Sequence, residues 1–131
     1  MKTILVDAVD AFVIKNENGD FEILEEMYKL LENFPNRKII LTGANDEQFK
    51  NFGLDKMPYE VFTLKHNPEK TSPEYYKIML DNFGLKAEDV IYFEHNPEAV
   101  ASAQLIGIKT YYWDNNQRPL DDLNIFLKDN V

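Results

Sequence analysis

The strongest constraint on the fold is a set of short apolar runs that each stop at a polar residue. Ile4-Leu5-Val6 ends at Asp7, Ile39-Ile40-Leu41 ends at Thr42-Gly43, and Val90-Ile91-Tyr92-Phe93 ends at Glu94-His95. Continuous apolar runs of this length read as strands buried on both faces, which belong in a parallel sheet covered by helices. In open sheets of that kind ligands sit in the crevice at the carboxyl ends of the strands. Asp7 therefore falls where chemistry is expected, although Asp is also an ordinary turn residue.

Helical and turn patterns separate the runs. After Asp10, Ala11 to Ile14 is apolar, Asn16 to Asp20 is a turn signal, and Phe21-Glu22-Ile23 follows. This predicts a small hairpin, Phe12 to Ile23, hanging over the end of the first strand. Leu24, Met27, Tyr28, Leu30 and Leu31 recur at helical spacing, and Pro35 stops that helix. Asp46 to Phe52 predicts a short helix closed by Gly53, and Tyr59 to Leu64 a less apolar strand nearer an edge. Pro73 opens a helix that carries Tyr76, Met79, Leu80 and Phe83 on one face and stops at Gly84. Pro97 to Ile106 is a small-residue helix capped by Gly107, Lys109 to Trp113 a fifth strand, and Leu120 to Lys128 a last helix. The expected fold is α/β: one three-layer, Rossmann-like domain over residues 1–131, with a five-stranded, mainly parallel sheet flanked by helices.

Composition narrows the function classes. At 131 residues, 44% of them hydrophobic, the chain can bury a real core. It has no cysteine, hence no disulfide framework, thiolate nucleophile or Cys-based zinc site. A formal net charge of −9 argues against a nucleic-acid surface and disfavours anionic membranes. No apolar run approaches transmembrane length, and Met1-Lys2 leads straight into a strand, so the expected compartment is the cytoplasm.

In a parallel sheet the ends of the strands share one edge. Asp7, Thr42 and Glu94 end strands, and Lys70 precedes the helix that leads to the fourth strand. Two carboxylates, a hydroxyl and an ammonium converging there suit a phosphoryl group with Mg²⁺. Carboxylates hold the hard cation, while Thr, Lys and loop amides neutralise phosphate oxygens.

These residues resemble the motifs of the haloacid dehalogenase-like (HAD) superfamily, mostly phosphatases with an aspartyl nucleophile. Ile4-Leu5-Val6-Asp7 resembles the first motif, and Ile39-Ile40-Leu41-Thr42-Gly43 the second. Lys70 with Ser72-Pro73-Glu74-Tyr75-Tyr76 is similar to the lysine motif, and Ile91 to Val100, with Ala103 and Gly107-Ile108, to the last. The resemblance implies that Asp7 attacks phosphorus and that Asp7, Glu94 and the Val9 carbonyl hold Mg²⁺. Thr42 and the Gly43 loop would bind phosphate, and Lys70 would hold the nucleophile and the transferring group.

The chain also departs from that pattern. Family phosphatases carry a second Asp two residues after the nucleophile to protonate the leaving group, and here that position is Val9. Asp10 stands one place further on, where Gly is usual, and is a candidate to substitute as the acid if the turn is irregular; Ala11 replaces the usual Thr. Thr71 follows the lysine where Pro is often found. His95 occupies the place of the last motif's second acid. His95 and His66 are further candidates for a proton donor or a ligand, against the ordinary reading of a solvated loop histidine. Loss of a general acid costs about 10²- to 10⁴-fold in rate.

Two functions follow: a Mg²⁺-dependent phosphatase-type hydrolase, or a catalytically degenerate relative that binds phosphate, metal or a protein partner without turnover. A phosphoacceptor receiver domain would need an Asp at the end of the third strand, where Leu64-Lys65-His66-Asn67 offers none. The segments between the motifs leave no room for a cap domain, so the expected site is open to a phosphorylated small molecule or macromolecule. Closure falls to the hairpin and a partner subunit in a homo-oligomer, because Phe12 and Phe21 flank the hairpin turn and need cover. Tyr111-Tyr112-Trp113 reads as strand packing rather than a stacking platform.

Overall fold

The structure is a computed structural model describing residues Met1–Val131. Five strands form one parallel sheet: β1 (Thr3–Asp7), β4 (Lys38–Thr42), β5 (Glu60–Thr63), β6 (Val90–Glu94) and β7 (Lys109–Tyr112). Their order across the sheet is β5-β4-β1-β6-β7, so β1 is central and β5 lies at an edge, as its weaker apolar character predicts. The chain moves from β1 to β4 to β5 in one direction, then returns past β1 to β6 and β7. That reversal beside β1 is the topological switch point at which a crevice opens in such sheets. Strands β2 (Val13–Lys15) and β3 (Phe21–Ile23) form the separate hairpin.

Strand periodicity sends alternate residues to two cores. Ile4 and Val6 of β1, with Ile91 and Phe93 of β6, pack against Met27 and Leu31 of α1 (Glu25–Glu32) and Leu123 and Leu127 of α5 (Leu120–Asn130). Leu5, with Val90 and Tyr92, packs on the other face against Tyr76, Met79 and Leu80 of α3 (Pro73–Phe83) and Ala103 of α4 (Pro97–Leu105). Both faces are covered, which is why β1 and β6 read as unbroken apolar runs.

The local differences from expectation have simple causes. Helix α1 ends at Glu32 with Asn33 as its C-cap, before Pro35 is reached. Two short 3₁₀ turns, Leu54–Lys56 and Ala87–Asp89, carry too few residues to show a period in the sequence. The hairpin aromatics need no partner subunit for cover, which corrects the reason given for one. Phe12 precedes the strand, is fully buried, and meets Tyr28 and Tyr59 at 6.1 and 5.5 Å between ring centroids. Phe21 packs on Phe52 at 4.7 Å. Between β1 and β4 stand only the hairpin and α1. Between β4 and Lys70 stand α2 (Asp46–Asn51), one 3₁₀ turn and β5. No helix is long and apolar enough to cross a membrane.

Candidate functional site

Parity along the strands brings the acids together. Asp7 follows Leu5 at a spacing of two, and Glu94 follows Val90 and Tyr92, so both carboxylates point to the α3/α4 face. Each is 1% exposed. Lys70 reaches them from the turn before α3, where Ser72 caps the helix by accepting from the Glu74 amide and Pro73 fills the first helical position. Its Nζ lies 2.7 Å from Asp7 Oδ1 and 2.7 Å from Glu94 Oε1, and donates to the Leu41 carbonyl at 3.2 Å. All three N–H donors of the ammonium are thereby used.

The remaining carboxylate oxygens are held by the start of α4. The His95 amide donates to Asp7 Oδ2 at 3.0 Å, and the Asn96 amide to Glu94 Oε2 at 2.9 Å. Asn96 caps α4 by accepting from the Glu98 and Ala99 amides, and Pro97 opens it. The His95 ring lies over the acids, with Nδ1 2.5 Å from Asp7 Oδ2 and 3.3 Å from Glu94 Oε2. Its Nε2 lies 3.7 Å from Asp10 Oδ2. Tyr92, two residues before Glu94 on the same face, donates its hydroxyl to Glu94 Oε1.

Burial and pairing act in opposite senses here. Hydrogen bonds to Asp7 and Glu94 raise the His95 imidazole to about 10 against the opposing effect of burial. Burial alone would lower Lys70, but Asp7 and Glu94 carry it well above its ordinary value. Burial also opposes ionisation of Glu94, yet Lys70, His95 and Tyr92 hold that carboxyl well below the usual range. Asp7 is pushed up by its burial and by the neighbouring Glu94 charge. Two buried carboxyl groups thus face the Lys70 ammonium and the His95 imidazole in one cluster.

Above this cluster lies a polar cleft of about 170 Å³, lined by Gly43, His66, Glu69, Lys70, Thr71, Glu94, His95, Asn96 and Ala99. His66 forms its rim. The ring nitrogens face Glu69 Oε2 at 3.0 Å and Gln48 Oε1 at 2.5 Å, and the same Gln48 oxygen accepts from the Asn45 amide in a capping box. Lys65 and His66 are both left-handed, with φ of 53° and 64°, an arrangement costly for residues with a Cβ. A Cβ at Gly43 would stand 3.4 Å from His66 Nδ1, so glycine there lets the ring sit close.

The structure therefore gathers Asp7, Lys70 and Glu94 and adds His95 and His66. Gly43 lines the cleft. The Thr42 hydroxyl accepts from the Ala44 amide at 3.2 Å, and its carbonyl accepts from the Tyr75 hydroxyl at 2.8 Å. Asp10 is exposed, outside the cleft lining, and left-handed at φ 73° where glycine would be free of strain. Val9 is half-buried and offers no proton. Sequence reasoning missed Tyr92, Glu69 and Gln48. The Tyr92–Glu94 spacing of two on a strand was the one signal that could have found any of them.

No family model matches the sequence, and no curated protein matches it. Solved structures do match in shape. A HAD family enzyme from Bacteroides thetaiotaomicron, in complex with magnesium and inorganic phosphate, superposes with a TM-score of 0.67 at 14% identity, over 88% of this chain and 95% of that one. A protein from Listeria monocytogenes serotype 4b gives 0.69 at 13% identity, covering 98% and 97%. A HAD-superfamily hydrolase of subfamily IA from Geobacter sulfurreducens gives 0.65 at 13% identity, covering 91% of each. The chain has the haloacid dehalogenase-like fold.

Proposed function

We propose that the chain is a phosphatase-type hydrolase that takes a phosphoryl group onto Asp7 with the help of a divalent cation. The observation that carries this is the convergence of Asp7 and Glu94 on one ammonium, that of Lys70, at 2.7 Å from each and beneath an open polar cleft. A structural neighbour in complex with magnesium and inorganic phosphate supports the same chemistry. An Asp7 oxygen bonds to phosphorus as the bond to the leaving oxygen breaks, and that oxygen departs with the electron pair. Water then cleaves the aspartyl phosphate and restores the carboxylate. Lys70 holds Asp7 in place and offsets charge on the transferring group. Because Val9 cannot protonate the leaving oxygen, solvent must, and stable leaving groups are favoured.

The donor set fits a hard cation. Asp7 and Glu94 are buried oxygen ligands, and the Val9 carbonyl accepts no hydrogen bond from the protein backbone. When bound, such an ion would offset charge on the phosphoryl oxygens. The open cleft suits a phosphate ester, free or carried on a macromolecule, in the cytoplasm.

A second reading, binding without turnover, is favoured by one observation. Asp7 is 1% exposed and the His95 ring lies over it. The test is hydrolysis of an activated aryl phosphate with and without added divalent cation. Turnover that requires the cation and disappears in Asp7→Asn supports the hydrolase. Turnover unchanged in Asp7→Asn overturns it, and inorganic phosphate bound with no turnover favours the second reading.

A further inference from the structure

On the hydrolase reading, a phosphoryl group above Asp7 needs donors already aimed at its oxygens. We infer that Tyr75 is a positioning residue for one of them: its hydroxyl turns the Thr42–Gly43 peptide so that the Gly43 N–H faces that group. Tyr75 is fully buried near the start of α3, in the same segment that carries Lys70. Its hydroxyl donates to the Thr42 carbonyl at 2.8 Å and lies 3.4 Å from the Phe62 carbonyl of β5. A phenol has a single proton to give, so the shorter contact is the bond.

Strand geometry makes the consequence specific. Carbonyls of consecutive strand residues point to opposite edges of the strand. The Leu41 carbonyl faces β1, where it accepts from the Lys70 ammonium that also binds Asp7. The Thr42 carbonyl faces the other way, toward β5 and Tyr75. In a planar trans peptide the N–H lies antiparallel to the preceding C=O, so the Gly43 N–H points back toward β1 and the Asp7 crevice. Gly43 lines the cleft, and its N–H donates to no backbone carbonyl. The peptide groups after it are held. The Ala44 amide donates to Thr42 Oγ1 at 3.2 Å, and the Ala44 carbonyl accepts from the Thr63 hydroxyl at 2.6 Å. One free donor thus stands between fixed neighbours, and aiming it at an anion costs little on binding. Tyr76 supplies the contrast: it is also fully buried and next in the chain, but its hydroxyl has no partner.

The experiment titrates inorganic phosphate, with Mg²⁺ present, into the full chain and into its Tyr75→Phe and Tyr76→Phe variants. Calorimetry reads the affinity, and nitrogen–proton correlation spectra read the Gly43 amide. Tyr75→Phe keeps the ring and its packing on Phe62, 5.7 Å between centroids, so the fold survives the change. In the unmodified chain and in Tyr76→Phe, the Gly43 amide proton should move downfield as phosphate fills the cleft. In Tyr75→Phe that movement should be lost and phosphate affinity should fall about tenfold, the order expected for one hydrogen bond to a charged group. A merely structural hydroxyl would lower the unfolding temperature without uncoupling Gly43 from phosphate. Unchanged affinity in Tyr75→Phe, or equal losses in the two variants, overturns the inference and leaves the phosphate site itself intact. So does a Gly43 amide in the unmodified chain that ignores bound phosphate, a result that needs no variant. Absence of phosphate binding by the unmodified chain overturns both the inference and the reading beneath it.

Discussion

Two histidine–carboxylate pairs border the same cleft in opposite surroundings. On the floor, His95 sits against Asp7, whose side chain is 1% exposed, and Lys70 closes the cluster at 2.7 Å. On the rim, His66 meets Glu69 at 3.0 Å with 38% and 56% of the two side chains exposed, and Lys65 meets Asp46 at 3.0 Å in the open. The residue types and distances are nearly the same. What differs is the cost of losing a partner. A buried charge left alone cannot recover its hydration, whereas an exposed one is rehydrated at once. The floor is therefore a cluster whose members depend on one another, and the rim is a surface whose members can be exchanged.

The largest test of this contrast compares two lysines. Lys70→Met strands Asp7 and Glu94 and should destabilise the metal-free protein by about 3–5 kcal/mol, read by chemical denaturation. Lys65→Met removes an exposed pair and should change stability by about 0–1 kcal/mol. Equal losses would erase the distinction. The next test adds to the floor what it lacks. Val9→Asp supplies a proton donor and should speed hydrolysis of alkyl phosphates about 10²-fold while changing activated aryl phosphates much less. Steady-state rates on the two substrate classes give the comparison. Equal acceleration of both would show that leaving-group protonation does not limit the floor.

How legible the two regions were follows from the same difference. The floor announced itself because buried strands must be apolar, so Asp7 and Glu94 stand out at the ends of Ile4-Leu5-Val6 and Val90-Ile91-Tyr92-Phe93. Lys70 was legible as well, lying just before a proline-started helix. His95 could be named as a candidate, but its contact with Asp7 depends on β6 lying beside β1, a pairing that no local pattern encodes. Of the rim only His66 was legible, as a candidate on the same footing as His95. Gln48 and Glu69 come from a short helix without buried residues and from a loop, and ordinary solvated segments use the same residue types. The hairpin erred in the other direction: Phe12 and Phe21 were read as needing a partner because the folding of Tyr28, Phe52 and Tyr59 onto them is nonlocal.

A pH titration separates the floor from the rim more finely. In the metal-free protein His95 is raised from 6.5 to about 10 by its bonds to Asp7 and Glu94. A raised folded-state value means that protonation favours folding. The stabilisation is complete below pH 6.5, declines as pH rises, and is gone once the folded ring has titrated near pH 10. The stability difference between the unmodified chain and His95→Asn should therefore be greatest at mildly acidic pH and shrink through pH 7 to 10, as measured by denaturant midpoints. A difference that is flat with pH would mean that the ring contributes by packing rather than charge.

The smallest expected effect belongs to the rim pair itself. His66 and Glu69 are exposed, so solvent and salt screen their attraction, and ordering two mobile side chains offsets part of it. A double-mutant cycle with His66→Asn and Glu69→Gln should give a coupling of about 0–1 kcal/mol that falls further in high salt. The Gln48 contact complicates this in a useful way. Its oxygen also accepts from the Asn45 amide, so it stays in place when Glu69 is changed, and His66 keeps one orienting partner. Left-handed backbone at Lys65 and His66 persists only if something holds the loop. If Gln48→Ala in combination with Glu69→Gln costs well over 1 kcal/mol, the rim is a cooperative unit like the floor. The contrast would then lie in what each region binds rather than in how each is held.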